Sequence, residues 1–195
     1  YNSVDVSYAF DQYDKSDYQR ITRLDIRDYS NVQNSLRMLY NHTFEGENVL
    51  SVGADYMHDY LFNTNLEGRI RKQDSFDAFA QYDWNISPKW EVVGALRYDY
   101  FSDGHISRLT PKVSARYQPI HNLNVRLSYG MGFRAPTLKE KYYNFDMSGI
   151  WIVEGNSSLK PEVSQNFNAS VDYTKGHYNF TVSAYCNRIE NKIAT

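Results

Sequence analysis

The 195-residue sequence predicts an all-β fold, an antiparallel up-and-down meander of about nine strands. Three observations predict it. Apolar and polar residues alternate with a period of two, the connections alternate between short and long, and aromatic residues gather near the ends of the alternating segments.

The segments follow in order. Weaker alternation runs through 4–10, 36–44 and 50–60. Residues 76–86 put Phe76, Ala78, Ala80, Tyr82, Trp84 and Ile86 on one face, against Asp77, Phe79, Gln81, Asp83 and Asn85. Residues 90–100 set Trp90, Val92, Leu96, Tyr98 and Tyr100 against Glu91, Arg97 and Asp99. A short strand is expected at 113–118. From Leu123 the odd positions read Leu123, Val125, Leu127, Tyr129, Met131 and Phe133, all apolar, which is a strand pattern and not a helical one. A weaker strand at 167–173 precedes 178–187, where Tyr178, Phe180, Val182, Ala184 and Cys186 oppose Asn179, Thr181, Ser183 and Asn187. No segment carries an i, i+3, i+4, i+7 apolar stripe.

Short links fall at 45–48, 87–89, 119–122 and 175–176, each with Pro, Gly or Asn to supply the special φ that tight turns need. Longer polar links are expected at about 12–23, 63–72, 102–107 and 134–160. In a meander successive turns lie at opposite ends, so short turns share one rim and long loops the other, as in transmembrane β-barrels. The alternating polar face is rich in Asn, Ser, Asp, Arg and Gly. Trp84, Trp90, Tyr98, Tyr100, Tyr117, Tyr173 and Tyr178 sit near strand ends, where rings favour a membrane–water boundary. The fold class is thus about nine strands of a transmembrane β-barrel of the outer-membrane kind, in one domain, 1–195. A soluble all-β binding module with the same rows buried in a core is the alternative.

Composition narrows function. Twenty-one Lys and Arg against 23 Asp and Glu give a charge of −2 and a pI near 6.2, without the basic excess of a nucleic-acid-binding domain. The 42% hydrophobic and 23% charged content excludes disorder of the whole chain. Cys186 alone supports neither a disulfide framework nor a thiolate zinc site. No apolar stretch is long enough for a spanning helix and no targeting segment is evident, but a mean hydropathy of −0.65 is compatible with a membrane barrel.

Catalytic patterns are absent. Gly130 and Gly132 are not followed by a helix-forming segment and read as relief of crowding within a strand. His58 points away from the face shared by Asp55 and Asp59, so no convergent metal ligands arise there. There is no G-x-S-x-G elbow and no H-E-x-x-H pair. No enzyme, metal or cofactor is expected. Residues 134–159 are the best candidate for ligand contact, through Tyr142, Tyr143, Phe145 and Trp151, although the same rings could pack the loop onto a barrel rim. Arg97, Arg116 and Arg126 fall on polar strand faces, where they could attract anions or pair with Asp83 or Asp99.

Three segments carry a resemblance. The run Tyr129-Gly130-Met131-Gly132-Phe133-Arg134-Ala135-Pro136-Thr137-Leu138-Lys139-Glu140, the segment Gly155-Asn156-Ser157-Ser158-Leu159-Lys160-Pro161-Glu162, and the strand Leu96-Arg97-Tyr98-Asp99 occur in the order seen in TonB-dependent outer-membrane receptors. The match spans roughly 51–193 and resembles most the cobalamin, catecholate-siderophore and colicin-receptor branch. The resemblance implies uptake of a scarce chelate, a ferric siderophore or cobalamin, across a Gram-negative outer membrane. Outer-membrane lipid would be one partner and the TonB energy-coupling complex, acting through a plug domain, another. Arg134, Pro136, Gly155, Asn156, Pro161 and Glu162 match family motifs and are expected to shape the strand-to-loop exits. A complete receptor has about 22 strands. By that resemblance the sequence is expected to be an incomplete barrel without a plug, an internal fragment whose open edges pair with other strands. A passive porin or adhesin-like barrel is the alternative within membranes.

Overall fold

A computed structural model describes residues 1–146, 149–150 and 152–193. Among them, nine strands form one antiparallel sheet in sequence order: β1 (Asn2–Gln19), β2 (Leu24–Thr43), β3 (Val49–Asn63), β4 (Ile70–Ser87), β5 (Trp90–Phe101), β6 (Ile106–Ile120), β7 (Leu123–Arg134), β10 (Glu162–Lys175) and β11 (Tyr178–Glu190). Between β7 and β10 the chain forms a short helix, α1 (Leu138–Tyr142), and a separate two-stranded hairpin, β8 (Asn144–Asp146) with β9 (Ile152–Glu154). The sheet is an open meander, with β1 and β11 at its edges. Each expected strand is present, and most run longer than the alternation suggested.

Cross-strand register keeps like with like. Val6 pairs Met38, Met38 pairs Ala54, Ala54 pairs Ala78, Ala78 pairs Tyr98 and Tyr98 pairs Leu109. Farther along, Val113 pairs Tyr129, then Phe167, then Cys186. A one-residue slip at any of these would move a whole apolar set to the other face. The next row in the upper half is Arg37, Asp55, Asp77, Asp99 and Arg108, all on the polar face. There Arg37 Nε donates to Asp55 at 2.6 Å, and Arg97 reaches both Asp77 (3.1 Å) and Asp99 (2.9 Å). Arg116 takes Glu91 (2.7 Å), not Asp83, and Arg126 takes Asp172 (2.5 Å). Like charges side by side in a row destabilise a sheet, and the interleaved guanidinium groups offset that.

The apolar rows are not covered. Val6, Met38, Tyr98 and Leu109 are 60, 50, 42 and 52% exposed. Among the described residues the buried hydrophobic ones are Leu61, Leu66, Leu138 and Val163. A soluble module with these rows as its core therefore does not fit: no second layer of the described chain lies over them.

Connection lengths differ from expectation at two places. The long link expected at 102–107 is a four-residue turn, 102–105, shorter than the link at 44–48. The loop expected at about 12–23 is mostly strand, because β1 and β2 pair as far as Gln19 and Leu24, leaving the turn at 20–23. Polar residues on both faces hid this pairing from a reading based on alternation. Asp14 and Lys15 instead bind across the hairpin, to Arg27 at 3.6 Å and Asp28 at 3.3 Å. β3 stops pairing at Asn63 opposite Tyr29, so the hairpin rises about five residues, roughly 17 Å, beyond its neighbour. The turns at 64–69 and 102–105 lie at the same end, as does the 27-residue connection 135–161. Gly104 takes φ +79°, which suits the four-residue turn between β5 and β6.

Candidate functional site

The long connection 135–161 is folded onto this end of the sheet. Pro136 is buried and Thr137 caps α1. The Thr137 hydroxyl accepts from Glu140 N (3.2 Å) while the Glu140 carboxylate accepts from Thr137 N (2.8 Å), a reciprocal box that stabilises a helix too short to hold itself. The same carboxylate pairs with Arg134 at the end of β7. Burial pushes the Glu140 carboxyl up, but the Thr137 amide and hydroxyl and the Arg134 guanidinium outweigh it. The net result lies below the usual carboxylate range.

The last turn of α1 is anchored by charge. Lys141 has 5% of its side chain exposed, and its Nζ donates to Asp103 Oδ2 at 2.5 Å. Tyr142 OH donates to the other oxygen, Asp103 Oδ1, at 2.9 Å, and the Arg71 guanidinium lies 4.4 Å from the Tyr142 ring centre. Leu138 packs with Leu61 and Leu66, and Tyr29, Tyr142 and Tyr143 pack around them. Tyr143 bridges Leu66, and Asn144 N donates to Asn65 O (2.8 Å). On the return path Gly155 passes against α1, and Asn156 N donates to Glu140 O at 2.9 Å. Asn156 Oδ1 then accepts from Ser158 N and Oγ (2.9 and 2.6 Å), turning the chain. Pro161 O accepts from Asn191 Nδ2 (3.4 Å), and Glu162 pairs in register with Arg134.

The expected ligand residues separate into two kinds. Tyr142 is committed to Asp103 and Arg71. Tyr143 and Phe145 stack with ring centres 6.4 Å apart and line a cleft of about 650 Å³ between the loop and the β1–β2 hairpin. Trp151 lies outside the described residues. Sequence reasoning missed the opposite wall, Lys15, Asp28 and Tyr29 of the hairpin, toward which Lys139 of the loop reaches with Nζ 4.6 Å from the Tyr29 ring centre. It missed α1 as well, although Thr137-Leu138-Lys139-Glu140 is a capping-box pattern.

The nine-stranded antiparallel meander agrees with one comparison in particular. A family model described as "TonB dependent receptor-like, beta-barrel" matches residues 1–195. The chain belongs to the TonB-dependent receptor β-barrel family. Among curated members it is similar to the vitamin B12 transporter BtuB of Photobacterium profundum, 27% identical over 145 residues covering 74% of the chain and 22% of that relative. It is also similar to the iron-regulated outer membrane virulence protein of Vibrio cholerae, 26% identical over 154 residues covering 76% and 24%. The chain thus spans less than a quarter of the length of these two relatives. Solved receptors share the fold. The ferric enterobactin receptor PfeA of Pseudomonas aeruginosa superposes with a TM-score of 0.73 at 14% identity, over 98% of this chain and 32% of that one. The siderophore receptor PirA of the same organism gives 0.69 at 19%, over 81% and 32%.

Proposed function

We propose that residues 1–195 form part of the wall of an outer-membrane importer. It takes up a scarce chelate, a ferric siderophore or a cobalamin, with energy from the TonB complex. The observation that carries the membrane assignment is the open apolar face bounded by rings. Along β5, Trp90 to Tyr100 spans ten strand steps, about 34 Å, which at a barrel tilt near 40° gives a band about 26 Å tall. That height matches the apolar band of outer-membrane barrels, about 25 Å. Trp90 stacks on Tyr117 at the lower edge, with ring centres 4.3 Å apart. Lipid is the partner of this face, and the polar rows turn to the interior.

Family membership supports the receptor reading, and the names of relatives support a chelate ligand. The chain's own part is binding and positioning, with no chemical step. The coupling contact belongs to a plug domain, which residues 1–195 do not contain. Tyr143, Phe145 and Trp151 are the proposed ligand contacts, and Tyr142 supports them. Arg134, Pro136, Gly155, Asn156, Pro161 and Glu162 shape the loop that presents them.

The test is uptake by cells expressing the protein as its gene encodes it. Labelled ferric siderophores and cyanocobalamin are offered with and without TonB. Accumulation of one chelate that stops when TonB is deleted is the expected result. Accumulation that persists without TonB identifies a passive channel and sinks the proposal.

A further inference from the structure

The wall is not paired throughout. The β6–β7 ladder runs from Ile120 opposite Leu123 to Lys112 opposite Gly130 and stops there. Above that point β6 continues from Pro111 to Ile106 on β5, and β7 continues from Met131 to Arg134 on β10. Among the described residues no pairing joins these two stretches, so they face each other across a seam. Pro111 suits such a place. It has no N–H to give, and a strand accommodates a proline where its nitrogen meets no partner. On its other side Pro111 pairs Leu96, midway along β5. The seam therefore reaches from the middle of the apolar band to the rim that carries the long loop.

Unpaired strand edges join unless something holds them apart, the more so where lipid offers no hydrogen bond. The holding contacts lie on the loop. The chain leaves β7 at Arg134, whose guanidinium pairs with Glu140 of α1. The next residue, Lys141, binds Asp103 in the β5–β6 turn, and Leu138 packs on Leu61 and Leu66. The top of β7 is thereby drawn across β6, and Phe133 packs on Phe101 of β5 with ring centres 6.0 Å apart. Gly130 and Gly132 bracket Met131 where β7 departs from β6, and a backbone without Cβ bends most readily there.

We infer that the docked loop and the parted seam are the two ends of one switch. Docking of 135–161 on Asp103 holds the upper part of β7 off β6 and leaves a side slit in the wall. Release of the loop lets the two edges zip together and shuts the slit. The coupling is reciprocal, because whatever favours one end must act equally on the other. That the slit joins the interior to the outer half of the bilayer rests on the membrane reading above, whereas the coupling of loop to seam does not.

Hydrogen exchange of the gene-encoded protein in detergent, read by mass spectrometry, tests the switch from both ends. In the parent, peptides covering 106–111 and 131–134 should exchange faster than the β5 stretch 92–100, which is paired on both sides. Lys141→Met, which frees the loop, should slow exchange in both seam peptides about five- to tenfold, the worth of one backbone hydrogen bond. Pro111→Val supplies the missing donor and should slow them likewise. It should also speed proteolytic cleavage within 135–161, although it touches no loop residue. Seam peptides as protected in the parent as 92–100, or exchange unchanged or faster in either variant, overturns the inference. So does a closed seam in Pro111→Val with loop cleavage as in the parent. If Lys141→Met loses protection at 92–100 as well, the Pro111→Val arm decides alone. TonB-independent uptake would remove the importer reading and leave this result untouched.

Discussion

Lys141 and Asp103, 38 residues apart in sequence, form a close ion pair with the lysine side chain almost wholly out of solvent. Together with Tyr142 they fasten the loop 135–161 to the β5–β6 turn. Breaking a buried pair leaves the other charge unpaired, at a cost of about 3–5 kcal/mol. Lys141→Met should therefore release the loop without unfolding the sheet. Limited proteolysis should cut within 135–161 much faster in the variant. Adding Asp103→Leu should recover part of the protection, because the stranded carboxylate is then gone. Equal cleavage of the single variant and the parent would show that the pair holds nothing.

Gly155 makes a different kind of contact. A Cβ there would lie 2.7 Å from Tyr142 N and 2.8 Å from Lys141 O. These are backbone atoms of α1 and cannot swing aside, so Gly155→Ala must push the return strand off the helix. Overpacking of this kind costs about 1–3 kcal/mol. The expected readout is local: the Asn156 amide, which donates to Glu140 O, should exchange its hydrogen faster, while β5 and β6 amides keep their protection.

These two contacts mark where the sequence stops being legible. The strands from Phe76 to Phe133 could be read because each position has one of two destinations, and hydrophobicity separates them. The same logic located the long loop and its aromatic residues. It failed above Tyr29, where polar residues occupy both faces of the β1–β2 hairpin and Leu24 and Ile26 are too few to leave a period-2 trace. The register shift that leaves Asp28 as an extra residue of β2, between Tyr29 opposite Lys15 and Arg27 opposite Ser16, has no local signature, and the Lys141–Asp103 pair joins segments that only the folded sheet brings together. Helix α1 was different: its capping box was visible in Thr137 and Glu140, but five residues are too few to show a helical stripe.

The apolar face supplies a third prediction. Leu96 is 46% exposed, midway along β5, on the face assigned to lipid. An arginine near the bilayer midplane of a barrel costs about 2–4 kcal/mol. Leu96→Arg should lower unfolding stability in lipid vesicles by that amount. Ala95→Asn, one residue away on the polar face between Gln81 and Lys112, should be nearly neutral. Similar losses from both would mean that the two faces do not meet different solvents.

Acid should loosen the loop through Glu140. Its carboxyl is held below the ordinary 4.5, because the donors from Thr137 and Arg134 outweigh the upward push of burial. A depressed folded-state value means that the carboxylate contributes stability above the unfolded value and loses it as pH falls through the folded one. Docking of α1 should thus be constant from neutral pH down to about 5 and weaken progressively below about 4.5. Amide exchange at Glu140 and Lys141, corrected for the intrinsic pH effect, should report the change. Glu140→Gln should be looser at neutral pH, because the pairing with Arg134 is lost, and should show no further transition in this range. A Glu140→Gln variant that kept the same acid transition would assign it to another carboxylate.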